Sequence, residues 1–175
     1  MKVLITGSNG FIGQNLQLRL RERLDIQVCC FTRDQSIKEL ADILDGVHFV
    51  FHLAGVNRPQ DRAEFNTSNI LLTRELCLAV ASDVYKRQMS KRKSEEIVLQ
   101  AGRDSLVPTY IYRLPNLFGK WSRPNYNSVV ATFCHNIARN IPINIDDADV
   151  ILTLAYIDDL IESFVHVMEG TAPVI

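Results

Sequence analysis

Residues 6–13 read TGSNGFIG and stand directly after the apolar run KVLIT, a glycine spacing suited to receiving a phosphate group. Gly7 permits a tight turn, Gly10 lets backbone amides approach a pyrophosphate, and Gly13 lets a helix pack closely on a sheet. The start of the helix that follows adds partial positive charge. Framed by a strand before and a helix after, the triplet marks a dinucleotide site; without that frame it is a weak signal. At the end of the next apolar run comes FTRDQ. A carboxylate there holds an adenosine ribose 2'-hydroxyl, whereas an arginine accepts a 2'-phosphate. Arg33 comes first, which favours NADP(H) over NAD(H), while Asp34 offers the plainer reading of a surface ion pair. A second cluster, residues 82–96 (SDVYKRQMSKRKSEE), sets a tyrosine among several lysines and raises the question of a catalytic segment.

Alternating elements must position these groups. A strand KVLIT, an amphipathic helix over 11–24, a strand IQVCCFT, a helix near 36–44 and a strand HFVFHLA follow one another. This order predicts a Rossmann-type α/β fold, a parallel sheet flanked by helices. Residues 61–81 read as one long helix and 90–102 as another, ended by Gly102. VPTYIYRL reads as a strand, 126–140 as a helix, VILTLAY as extended, and IDDLIESFVHVMEG as a closing helix with Gly170 just past its end. Two successive helices with no strand between them leave the sheet short of one central strand. In the order 3-2-1-4-5-6 that strand lies beside the first, at the switch point where a ligand binds. The alternative is that LAVASDVY is the strand and the helix before it is shorter.

With 175 residues, 47% of them hydrophobic, the chain suits a single domain with its own core. A net charge of -1 favours neither nucleic acid nor an anionic membrane as partner. The cysteines, Cys29, Cys30, Cys77 and Cys134, lack C-x-x-C spacing and read as reduced core thiols, with Cys29 and Cys30 on opposite faces of a strand. No apolar run approaches membrane-spanning length and no signal segment is visible, so a cytoplasmic location is expected. His48, His52, His135 and His166 do not pair at metal-ligand spacing, and His52 reads as a strand residue packed near the cofactor.

The pattern T-G-x-x-G-x-x-G with HLAG after the third strand resembles the extended short-chain dehydrogenase/reductase family of sugar-nucleotide epimerases, dehydratases and reductases. NILLT at 69–73, RLPNLFG at 113–119 and LTLAYIDDL resemble further motifs of that family. The strings HLAGVNRP and YRLPNLFGKWSRPNYNSVVATFCHNIARN resemble one branch, the bacterial capsule and O-antigen enzymes that reduce a UDP-2-acetamido-2,6-dideoxy-hexos-4-ulose. The resemblance implies cofactor contacts at Gly7, Gly10, Phe11, Ile12, Gly13, Arg33, Leu53, Ala54, Gly55, Lys91 and Pro115. It also implies a UDP-sugar substrate near Arg58, Asn116, Lys120, Arg123 and Asn125, with no resident metal in this part of the chain. A homodimer is left open. The implied activity is reduction of a sugar-nucleotide C4 carbonyl, with epimerase or dehydratase chemistry as the neighbouring reading.

That chemistry uses a Y-x-x-x-K pair on one helix, where the lysine lowers the tyrosine pKa and the phenol donates a proton as hydride arrives. A serine or threonine from the fourth strand polarises the same oxygen. Lys91 matches the lysine, but Arg87 stands where the tyrosine belongs, Tyr85 is out of phase with Lys91, and the serine-bearing strand is absent. Leu152 stands roughly where many members carry a diphosphate-binding arginine. The string SDVYKRQ resembles a translated sequencing-adapter remnant, so the junction at 80–90 reads either as a deletion or as an assembly artefact. The expected whole is one partial dinucleotide-binding domain, 1–175, lacking the C-terminal substrate part and the cupin domain of the branch. An inactive nucleotide-binding fragment is the rival reading.

Overall fold

The computed structural model describes residues 1–55, 71–79, 91–145 and 147–171, with the side chains of 91–93 left out. Strand β1 (Lys2–Thr6) leads into helix α1 (Phe11–Arg21), then β2 (Gln27–Phe31). A 3-10 turn capped by the Ser36 side chain runs into the short helix α2 (Leu40–Leu44), followed by β3 (Phe49–His52). Residues 71–79 form helix α3. Helix α4 (Lys91–Ser105), β4 (Asn116–Phe118), α5 (Val129–Ile137), β5 (Leu154–Tyr156) and α6 (Ile157–Met168) complete the order.

The strands form two parallel groups among the described residues, β2-β1-β3 and β4-β5. β1 alternates strictly, as an inner parallel strand covered on both faces must. Val3 and Ile5 face a cluster with Leu16 and Leu20 of α1 and with Ile157, Ile161 and Phe164 of α6. Leu4 faces the other way, onto Phe31, Leu40 of α2 and Leu76 of α3. Helices therefore cover both faces. Arg19 of α1 binds Glu162 of α6 at 2.8 Å, and Arg23 binds Glu169, tying the two helices at their rims.

The position of the absent strand differs from expectation. β3 lies beside β1 on the side opposite β2, so the place at the switch point is filled. The short α2 connection is enough to carry the chain across β1 to its far side. Among the described residues, no strand lies between β3 and β4, and the open edge is that of β3.

The neighbourhood of that edge explains a second difference. Residues 107–115 take no regular secondary structure and join no strand ladder among the described residues, and pairing begins only at Asn116. They are held from the sides instead, by Arg113 to Glu95 of α4 at 2.7 Å and by Tyr112, whose hydroxyl lies 3.0 Å from Ser163 Oγ of α6. Tyr110 stays 54% exposed. The alternative that LAVASDVY is the strand conflicts with the helical state of residues 78 and 79; the rest of that string lies outside the described residues.

Two boundaries also move. Gly102 does not end α4, which continues to Ser105 and closes with Leu106 in the left-handed region (φ 56°). Gly102 is small for another reason, since a Cβ there meets Thr109 Oγ1 at 2.2 Å. Helix α5 begins at Val129 rather than 126, because Ser128 takes an extended conformation and its side chain accepts the Ala131 amide at 3.4 Å. Replacing Ser128 by alanine is expected to cost about 1 kcal/mol in urea denaturation, since an orphan first-turn donor loses its partner; no change in midpoint would contradict that role. The closing helix behaves as read, with Gly170 at φ 70° just beyond it.

Cys29, Cys30 and Cys77 are partly buried and free, whereas Cys134 is exposed and so is not a core thiol. Cys29 packs in the second cluster and Cys30 donates to Gln17 of α1, confirming their opposite faces. Burial pushes the Cys77 thiol up to about 11. Among the described residues no helix is long and apolar enough to cross a membrane.

Candidate functional site

The phosphate-loop residues turn between β1 and α1 with Gly7 at φ 68°. The Gly10 amide donates to Gly7 O at 3.0 Å, and the Gly7 amide to Phe31 O at 3.3 Å. A Cβ on Gly7 would lie 2.6 Å from Ala54 N, so the turn presses directly on the backbone after β3. Gly13 is equally constrained, a Cβ there lying 2.4 Å from Gly7 O. Gly10 has more room, with its nearest contact at 3.2 Å.

Helix α1 starts without a side-chain cap and without an acidic residue in its first turn. Its first amides are therefore open to an external anion, and no carboxylate competes for them. Phe11 and Ile12 send their side chains toward the core cluster, leaving their amides as the groups that face the loop. The donor set suits dinucleotide phosphates. Gln17 braces the turn from behind by donating to Ser8 O at 2.7 Å.

Beyond the loop, Leu53 N donates to Thr6 O at 3.2 Å and Ala54 N to Thr6 Oγ1, also at 3.2 Å. Thr6 Oγ1 lies 2.7 Å from His52 Nδ1, and His52 Nε2 lies 2.8 Å from Thr73 Oγ1 on α3. Burial lowers the His52 pKa to about 4, keeping the imidazole uncharged at neutral pH. His52 thus packs beside the loop, as its place in the strand suggested.

Gly7, Gly10, Phe11, Ile12, Gly13, Arg33, Leu53, Ala54, Gly55, Pro115, Asn116, Arg123 and Asn125 all line one open groove. Arg33 is exposed at the end of β2, and no ion pair joins it to Asp34 among the described residues. Lys120 is placed differently. Its ammonium sits 3.7 Å from Asp158 and 5.8 Å from the Trp121 ring, and it does not line the groove. Arg58, Tyr85 and Arg87 lie outside the described residues, and Lys91 is located only as the first residue of α4.

Sequence reasoning missed two features here. Asn15, almost fully buried, donates to Phe11 O at 2.9 Å and to Lys120 O at 3.1 Å, joining α1 to the loop after β4. Nothing in the local sequence signals a tie across 105 positions. The second is Trp121, half-exposed on the groove at φ 67°, a left-handed conformation uncommon for a bulky residue. It stands in the string GKWSRPNYN, where the exposed aromatic was the only available signal.

A family model described as the NAD dependent epimerase/dehydratase family matches residues 3–87 and 82–173. A UDP-2-acetamido-2,6-beta-L-arabino-hexul-4-ose reductase of Pseudomonas aeruginosa is 50% identical over 186 residues, covering 97% of this chain and 50% of its own. The crystal structure of the capsular polysaccharide assembling protein CapF from Staphylococcus aureus superposes with a TM-score of 0.81 at 37% identity, covering 100% of this chain and 52% of that one. A UDP-glucuronic acid 4-epimerase from Bacillus cereus, in complex with UDP-glucuronic acid and NAD, shares the fold at 20% identity and TM-score 0.81 over 75% of its length. The chain spans about half the length of the first two relatives. On these matches it belongs to the NAD dependent epimerase/dehydratase family.

Proposed function

We propose that the chain is the cofactor-binding part of an NADPH-dependent reductase acting on the C4 carbonyl of a UDP-linked 4-keto-6-deoxy-hexosamine, in bacterial capsule or O-antigen synthesis in the cytoplasm. The observation that carries this reading is the phosphate loop with an uncapped α1 terminus, opening on the same groove as Arg33, Asn116, Arg123 and Asn125. The half-identical Pseudomonas aeruginosa reductase supports the choice of a reductase over an epimerase or dehydratase. When bound, the nicotinamide supplies hydride. The α1 amides and Gly10 hold the pyrophosphate, Arg33 receives the adenosine 2'-phosphate, and Leu53–Gly55 border the ribose. Lys91 orients the nicotinamide ribose. Asn116, Arg123 and Asn125 hold the UDP-sugar, with Lys120, which pairs with Asp158 at 3.7 Å, as a further cation beside them.

The same reading makes this chain unable to turn over, because Arg87 stands where the resemblance puts the proton-donating tyrosine and no strand bearing the polarising hydroxyl lies between β3 and β4 among the described residues. Two observations support a junction at 80–90. The family model matches in two pieces that meet at 82–87. The aligned stretch with the Pseudomonas aeruginosa relative is 186 residues, longer than the 175-residue chain itself, so the relative has residues within that stretch that this chain lacks, as a deletion requires.

The test is direct binding by NADPH fluorescence together with an assay of UDP-4-keto-sugar reduction. NADPH binding without turnover is expected, and hydride transfer by this chain would sink the inactive reading. Arg33→Ala is expected to weaken NADPH about tenfold and leave NADH unchanged, a loss of about 1.4 kcal/mol. Equal losses for both cofactors would remove the NADP preference. Resequencing the coding DNA across 79–91 separates a genuine deletion from an artefact: a restored serine-bearing strand and Y-x-x-x-K tyrosine would return the reductase activity to the natural protein.

A further inference from the structure

We propose that His52 is a positioning residue for the dinucleotide, an imidazole strung between Thr6 and Thr73 that holds the Gly7 turn and the Leu53–Gly55 backbone in the shape that receives the phosphates. The inference deepens the cofactor site proposed above and rests on that reading. Three elements meet at this ring. Thr6 ends β1 immediately before Gly7 and is fully buried, and its hydroxyl serves both Ala54 N at 3.2 Å and His52 Nδ1 at 2.7 Å. His52 ends β3, two residues before Ala54. Its far nitrogen meets Thr73 Oγ1 at 2.8 Å, on a residue of α3 that is only 3% exposed.

Geometry makes the loop answer to this relay. Ala54 N stands where a Cβ on Gly7 would have only 2.6 Å of room, so any shift of the 53–55 backbone moves the phosphate turn with it. The ring fits the task because it is rigid and carries a hydrogen-bonding nitrogen on each side, and each nitrogen faces a hydroxyl able to donate or accept. Either neutral tautomer satisfies both threonines. An aliphatic residue at position 52 would take the imidazole partner from both buried hydroxyls, leaving Thr6 with only the Ala54 amide from this cluster, and would cut the hydrogen-bonded link from α3 to the loop.

The experiment measures NADPH affinity of the full chain, well below its melting temperature, for wild type, His52→Leu, Thr73→Val, Thr73→Ser and the double variant His52→Leu/Thr73→Val. In parallel, amide hydrogen exchange at residues 7–10 is followed without cofactor. His52→Leu and Thr73→Val should each weaken NADPH by about tenfold, the double variant no further than His52→Leu alone, and Thr73→Ser should match wild type. Exchange in the loop should accelerate in the same variants and not in Thr73→Ser. A purely structural histidine would lower the melting temperature while leaving affinity and loop exchange unchanged, and that result overturns the proposal, as does multiplicative loss in the double variant. If wild type itself binds no NADPH, the cofactor reading fails, and the exchange arm alone decides whether His52 holds the loop. If His52→Leu does not fold, the pair Thr73→Val, which removes the hydroxyl at constant shape, and Thr73→Ser, which keeps it, carries both arms.

Discussion

Replacing Gly13 with alanine is expected to lower stability by about 3 kcal/mol and to abolish dinucleotide binding. The added Cβ would stand 2.4 Å from Gly7 O, 2.7 Å from Ser8 Cα and 2.9 Å from Ser8 C, all backbone atoms with no rotamer to retreat to. Relief requires α1 to lift from the turn. The other end of α1 resists, because Leu16 and Leu20 are fully buried against β1 and α6. Whatever movement does occur takes the first-turn amides away from the phosphate position, so stability and binding fall together. Gly46→Ala supplies the comparison: its φ of 66° imposes strain, but nothing lies within 4 Å of the new atom. That variant should lose about 1 kcal/mol and keep its ligand affinity. Urea denaturation and NADPH titration of both variants check the contrast, and a Gly13→Ala protein as stable as Gly46→Ala would refute the close-packing argument.

The parts of this fold that sequence reading recovered are those written in local periodicity. β1, α1, β2 and α6 each combine a hydrophobic repeat with a recognisable boundary, and their ends shift by only a few residues. Sheet order is another matter, because it depends on which side of β1 the chain crosses to, and the α2 connection carries no local mark of that choice. The 107–115 segment shows the limit from the opposite side. VPTYIYRL has strand composition, yet a strand needs a neighbour, and among the described residues none lies alongside it.

The site was legible to the same degree. The glycines, Arg33, Asn116, Arg123 and Asn125 could be placed on one groove because strand ends in a parallel sheet converge. The Lys120 ion pair was not legible, because Asp158 is distant in sequence and only its position at the start of α6 brings the two together. The Thr6, His52 and Thr73 chain was only half visible, since HLA announces a strand end near a cofactor but says nothing of the helix across from it.

Acid should destabilise the protein first through His52. In the unfolded chain this imidazole titrates near its ordinary 6.5, whereas burial holds it at about 4 in the fold. Between those values the unfolded state binds a proton that the folded state refuses, so stability is full above about pH 6.5 and falls as pH drops toward 4. Complete expression of the difference is worth at most about 3 kcal/mol, a large share of a small domain's stability. Carboxylates act lower. Asp25, held down to about 2 by its hydrogen bond to Arg23, and Glu162, lowered by its hydrogen bond to Arg19, lose their contributions only as they protonate in stronger acid, and both are solvent-exposed. The window from 6.5 to 4.5 therefore isolates the histidine. Urea denaturation across that window should show a steep loss for wild type and a nearly flat line for His52→Gln, which starts less stable but has nothing to titrate. Parallel lines would mean that the imidazole is charged, or solvated, inside the fold. In that case both ring nitrogens would donate and neither threonine hydroxyl could donate to the ring, and the neutral relay beside the phosphate turn would have to be abandoned.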